Sequence, residues 1–147
     1  MLFRSEKITD LQASSWSRLS RLLDRLPHAL LIHGPQGVGK LALAERFAQL
    51  LVCERKQPGG QPCGQCDGCR WFLGGNHPDI RFLEPEALAR AVPGADDVED
   101  APEPAKGAKP SAQIKIEQAR ALRDFVNVVS HRGGHRVVIV QIGRAHV

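Results

Sequence analysis

The spacing of apolar positions changes several times along the chain, and each change predicts an element. Between residues 12 and 26, Trp16, Leu19, Leu22, Leu23 and Leu26 recur at helical intervals, with Ser14 or Ser15 as a cap and Pro27 as a stop. HALLIH, residues 28–33, is a short apolar run that predicts a strand buried on both faces. A glycine-rich loop from Gly34 to Gly39 follows, then KLALAERFAQLLV, a helix expected to turn Leu43, Phe47, Leu50 and Leu51 inward. IRFLEP predicts a second strand, and VVIV, residues 137–140, a third. Between these two, IKIEQARALRDFVNVVSHRGGHR reads mostly as a helix. Ile116, Ala119, Leu122, Val126 and Val129 share one face, and Gly133 and Gly134 end it. Strands alternating with helices predict an α/β protein with a parallel sheet flanked by helices. No internal repeat is visible.

Two stretches break this pattern. Residues 53–69 are rich in Gly, Pro and Gln and carry little core of their own. Residues 85–112 are rich in Ala, Pro, Gly and acids, which predicts a flexible, solvated insertion. The insertion also skews the charge. The net charge is +4, but Glu84 to Pro104 holds seven acids and one Arg, so the rest of the chain carries 19 basic and 9 acidic side chains. A basic body permits contact with nucleic acid or an acidic partner without requiring either. Tyr is absent and Phe plus Trp total seven, so base-stacking side chains are scarce.

A length of 147 residues fits one domain with room for a core. No apolar run approaches the ~20 residues that span a bilayer, and MLFRSEKITD lacks the apolar core of a signal peptide. A cytoplasmic protein with no membrane partner is the expectation. In that reducing compartment, four cysteines are expected as metal ligands or free thiols rather than disulfides.

The first candidate site is GPQGVGKLAL, residues 34–43. Gly34, Gly37, Gly39 and Lys40 fit a phosphate-cradling loop between a strand and a helix. Inward N–H groups and the positive helix end would hold phosphate, and Lys40 would reach its outer oxygens. The next position should offer a Ser or Thr hydroxyl to Mg²⁺ and is Leu41, which has no oxygen to give. The acid that ordinarily helps hold the metal from the end of a neighbouring strand is also missing, since no Asp or Glu occurs from Val137 to Val147. The two losses agree. The loop is expected to be a relic or to bind nucleotide without turnover; Mg²⁺ is not expected, and ATP binding stays open.

The second candidate site is Cys53, Cys63, Cys66 and Cys69, spaced C-x9-C-x2-C-x2-C and comprising every cysteine of the chain. Overlapping C-x2-C turns bring thiolates to one ion, and four thiolates make the closed, structural kind of Zn²⁺ site. Such a site stabilises a segment that lacks a core. Disulfide exchange at Cys66 or Cys69 is the redox alternative, without a thioredoxin-like setting to support it. A DNA-binding finger would place a basic helix after its ligands, whereas RWFLGGN is short and mostly apolar.

LPHALLIHGPQGVGK, CGQCDGC, GNHPDI and the IEQARALRDF helix before RVVIV together resemble the clamp-loader subunits of bacterial DNA polymerase III, over about residues 10–140. That resemblance implies a P-loop NTPase fold of the AAA+ type with a small four-Cys zinc insertion at 53–69. Active ATPase subunits of the family keep Ser or Thr after the Lys, so Leu41 makes the chain resemble the family's noncatalytic stator. By resemblance, its partners are the ATPase subunits and the delta subunit. Through the complex it meets the sliding clamp and primed DNA, as a component of the DNA polymerase III holoenzyme. The arginine that the family supplies in trans from a Ser-Arg-Cys motif has no counterpart here. The family continues past this strand with a small and acidic stretch, from which QIGRAHV departs. Residues 1–147 are thus expected to be a truncated AAA+-like module, with 141–147 an aberrant tail.

Other residues have plainer readings. His77, Pro78 and Asp79 are expected to form a turn entering a strand, and His28 and His33 to be packed, hydrogen-bonded imidazoles. Arg132, His135 and Arg136 suit a helix C-terminus as well as they suit DNA. Two rival functions stay open: an active clamp-loader ATPase subunit, which Leu41 argues against, and a separate zinc-dependent nucleic-acid-binding module.

Overall fold

The computed structural model describes residues 10–88, 110–131 and 134–142. Helix α1 (Asp10–Ser20) tightens into a 3-10 turn at Arg21–Asp24, and α2 is Lys40–Val52. A short α3 (Asp67–Leu73) leads to strand β1 (Ile80–Leu83) and a 3-10 turn at Glu86–Leu88. Helix α4 (Ile116–Asn127) then precedes strand β2 (Val137–Val140).

Helix α2 organises the core because it carries two apolar stripes. Leu43, Phe47, Leu50 and Leu51 form one, buried against Trp16 and Leu19 of α1. The Trp16 and Phe47 rings meet edge to face, with centroids 6.4 Å apart. Leu41, Ala44, Ala48 and Val52 form the other, packed with Phe72 of α3, Ile80 of β1 and Ile139 of β2. Both stripes follow the i, i+3/i+4 spacing of a helix surface.

The two strands run parallel, in the register Ile80↔Val137 to Leu83↔Val140. Val137 N donates to Asp79 O at 2.9 Å and Gln141 N to Leu83 O at 2.9 Å, extending the ladder at both ends. Parallel neighbours need a long crossover, and α4 lies within it.

Several expectations are corrected. HALLIH is not a strand: residues 28–33 take no regular structure and Leu31 is 80% exposed. A strand apolar on both faces needs neighbours at its edges. Among the described residues β1 and β2 pair only with each other, and Ile32 alone of this run packs on the core. Among the described residues the sheet is therefore two-stranded rather than three-stranded.

Helix α4 is also shorter and differently rotated. It stops at Asn127, where Val128 turns extended (φ −91, ψ 148). Gln118, Leu122 and Phe125 lie half-buried, while Ile116, Ala119, Val126 and Val129 are exposed. Phe125 decides this rotation. The Arg81 and Arg136 guanidinium carbons lie 4.9 and 4.7 Å from its ring centroid. Arg136 also donates to Phe125 O, and to Val129 O at 2.7 Å, taking carbonyls at the helix end. Gly133, expected as the stop, and Arg132 lie outside the described residues.

The stretch 85–112 is anchored at its two described ends. Pro85 is buried, and Ala87 N donates to Ser111 O at 2.9 Å. Glu86 accepts from Ser111 N at 3.1 Å and pairs with Lys115 Nζ at 2.5 Å. Residues 89–109 of that stretch, and residues 143–147 of the tail, lie outside the described residues. Among the described residues no helix is long and apolar enough to cross a membrane.

Candidate functional site

The two candidate sites lie at opposite ends of α2, whose 13 residues span about 20 Å. At its N-terminus lies the glycine-rich loop, Gly34 to Gly39, without the strand expected before it. Gly34, Gly37 and Gly39 take positive φ of 152, 85 and 78. Gly39 caps the helix in the left-handed region, and a Cβ there would lie 2.3 Å from Gln12 Nε2. That amide donates to Val38 O at 3.0 Å and Gly39 O at 2.9 Å, so α1 braces the loop. Lys40 folds back over it and donates to Gly34 O at 2.8 Å and Pro35 O at 2.6 Å. Leu41 points the other way, half-buried in the apolar stripe against the sheet.

At the other end, chain geometry gathers all four cysteines. Cys53 directly follows α2 in extended conformation. A loop pinched by the Gln57↔Gln61 bridge returns Cys63 to it. Cys66 is the N-cap of α3, its sulfur accepting from Cys69 N at 3.5 Å, and Cys69 lies in the helix's first turn. Gly68 makes this approach possible: a Cβ there would sit 2.3 Å from Val52 O, at the last residue of α2. Spacing alone assigned no element to this segment, so α3 was missed.

The four sulfurs all lie within 4.8 Å of one another. Cys63–Cys69 and Cys66–Cys53 are each 4.0 Å apart. A tetrahedral zinc with bonds of about 2.3 Å has sulfur–sulfur edges of about 3.8 Å, so a small contraction would suffice. Backbone N–H groups already point at the sulfurs, as thiolates require: Cys63 N at Cys53 Sγ (3.3 Å) and Cys66 N at Cys63 Sγ (3.3 Å). The donors from Gln65 and Cys66 hold the Cys63 thiol down to about 6. Burial pushes the Cys69 and Cys53 thiols above their ordinary value. The four residues could thus hold one divalent cation such as Zn²⁺, and four thiolate ligands would leave no open position for catalysis.

The turn after α3 is held by internal contacts. His77 is buried, accepts from Asp79 N through Nδ1 at 3.0 Å and meets Trp71 edge to face. Asp79 is buried too, accepting from His131 N at 3.0 and 3.2 Å and pairing with Arg136 Nε at 3.5 Å. Arg136 therefore joins helix end, aromatic ring and turn rather than projecting as a free cation. His28 and His33, expected to pack, are exposed beside the unpaired run.

Comparison with known proteins shows the family. The family described as DNA polymerase III, delta subunit, matches residues 11–143. The chain is 34% identical over 134 residues to DNA polymerase III subunit delta' of Pseudomonas aeruginosa, covering 91% of this chain and 34% of that protein. It is 33% identical over 111 residues to subunit delta' of Yersinia pestis, covering 76% and 26%. Subunit tau of Escherichia coli is 30% identical over 118 residues, covering 80% and 14%. The chain belongs to the DNA polymerase III clamp-loader family, as a delta-prime-like member. It spans about a third of the length of the Pseudomonas relative.

Proposed function

We propose that this chain is the AAA+-like module of a noncatalytic stator subunit in a replication clamp loader, helping to load the sliding clamp onto primed DNA. The other clamp-loader subunits, ATPase subunits and delta among them, are its partners, and it meets clamp and DNA through the complex in the cytoplasm. Membership of the family supports the assembly. The noncatalytic reading is carried by Leu41: where a hydroxyl would meet Mg²⁺, an aliphatic side chain packs into the core. In this reading Gly34, Gly37, Gly39 and Lys40 are the remnant of a nucleotide loop, and Lys40 is engaged on the loop's own carbonyls.

Cys53, Cys63, Cys66 and Cys69 hold one structural Zn²⁺ in this reading. The ion crosslinks the end of α2 to α3 where little apolar core exists. The test is assembly and turnover together. Full-length protein mixed with its partner subunits should be required for clamp loading, while alone it releases no phosphate from ATP. Loading that proceeds equally without it would refute the stator role. The similarity to tau subunits favours one rival, an active ATPase subunit. Steady turnover by the unaltered protein would decide for that rival.

A further inference from the structure

Helix α1 and the 3-10 turn after it turn only one side to the core. Trp16 and Leu19 are buried there, with Leu22, Leu23 and Leu26 packed against the same cluster. Ser14, Ser17, Arg18, Arg21 and Arg25 are exposed. Ser14, Arg18, Arg21 and Arg25 are spaced by four, three and four residues, the interval that lines up side chains along a helix. From Arg18 to Arg25 the row is about 12 Å long, at about 1.5 Å per residue in the α-helix and about 2.0 Å in the 3-10 turn.

Among the described residues none of these three arginines has an ion pair or a side-chain hydrogen bond. Asp24 is the one acid of residues 14–25, and it pairs with neither Arg21 nor Arg25. A row of unpaired positive charge suits an extended polyanion. Duplex DNA carries about one phosphate per 3.4 Å of each strand, so the row would face about three to four of them. Arginines and serine hydroxyls are among the groups that contact phosphate. An acidic protein would ask for an aromatic or apolar anchor at the centre of the contact, but the exposed positions of α1 are Ala13, Ser14, Ser15, Ser17 and Arg18. A single strand would ask for stacking aromatics, and Trp16 and Phe47 are buried.

We propose that this face is a contact surface for the phosphate backbone of duplex DNA, with Arg18, Arg21 and Arg25 as its charged contacts and Ser14 and Ser17 as hydroxyl donors. The contact reads no bases. The stator role requires only that DNA be met through the complex; here the chain touches it directly. The surface stands on α1 and its turn, independently of the nucleotide loop and the cysteines.

The test is fluorescence anisotropy of a labelled DNA duplex, titrated with the full chain at several salt concentrations. The unaltered protein should bind duplexes of different sequence alike, and more weakly as salt rises. Arg18→Gln/Arg21→Gln/Arg25→Gln should flatten the slope of log affinity against log salt by about 2.7, at about 0.9 per phosphate contact, and weaken binding at least about tenfold near 0.1 M salt. Glutamine is nearly as good a helix former as arginine, so thermal unfolding should be unchanged. Arg18→Lys/Arg21→Lys/Arg25→Lys should keep the slope. Arg120→Gln/Arg123→Gln, which removes two exposed charges from α4, should change affinity less than about twofold. No binding by the unaltered protein, or an unchanged slope in the triple glutamine variant, would overturn the surface. Equal flattening by the α4 pair and by Arg18→Gln/Arg21→Gln would also overturn it, because the attraction would then be one of overall charge. Tighter binding of the corresponding single strand, or displacement of the duplex by polyglutamate at equal charge, would overturn duplex DNA as the occupant. Any of these failures leaves the stator role standing.

Discussion

Replacing Gly68 by Ala should damage the cysteine centre without touching a ligand. The added methyl would lie 2.3 Å from Val52 O and 3.3 Å from Val52 C, both backbone atoms at the end of α2. Ordinary contact begins at 3.4 Å, so α3 must withdraw from α2 by about an ångström. The backbone carbonyl cannot rotate away as a side chain could, because it belongs to the helix. Cys66 and Cys69 move with α3 while Cys53 stays with α2, so the sulfurs separate along the line that zinc must bridge. Zinc–sulfur bonds tolerate only about 0.2 Å. Either the strain stays in the packed protein, at about 1–3 kcal/mol, or one ligand is lost. If it falls wholly on the metal-bound form, affinity drops about five- to 150-fold. Zinc competition and thermal unfolding, with and without chelator, measure the two parts. Unchanged zinc affinity together with unchanged unfolding would refute the close α2–α3 packing.

The zinc affinity should depend steeply on pH. Burial keeps the Cys53 and Cys69 thiols protonated at neutrality, so zinc must expel at least those two protons. Affinity should therefore rise with pH near neutrality, by at least about two log units per pH unit, and more steeply below pH 6, where Cys63 also protonates. A flat profile from pH 6 to 8 would contradict this. Asp79→Ala leaves the largely buried Arg136 without its carboxylate, and unfolding in urea should show a loss of about 3 kcal/mol, since Arg136 keeps its bonds to Phe125 O and Val129 O. A loss below about 1 kcal/mol would mean the pair is ornamental. Leu41→Ala should cost about 1–2 kcal/mol in the same assay, roughly half the loss for a fully buried leucine. No loss would mean that Leu41 does not pack.

Much of this molecule was legible in its residues. The inward face of α2, the two strands around α4 and the convergence of the cysteines all follow from local spacing, because each needs only its own neighbours in sequence. HALLIH failed because an apolar run becomes a strand only when other strands lie beside it, which no local pattern reports. The α4 face failed for a different reason. Hydrophobic counting favoured Ile116 and Val126, yet Phe125 was the residue drawn inward, by two arginines from β1 and the β2 approach. Helix α3 was missed because its N-cap is Cys66, outside the usual capping set of Ser, Thr, Asp and Asn. The contact of Arg46 with Gln61 left no trace in the spacing, because only the fold brings the two together.

ATP turnover by the full-length protein alone tests the central claim most directly, because that claim is a leucine standing where a magnesium ligand should be. With Mg²⁺ and ATP in excess, the unaltered protein should release phosphate no faster than the same protein carrying Lys40→Ala. Steady release by the unaltered protein that Lys40→Ala abolishes would contradict it.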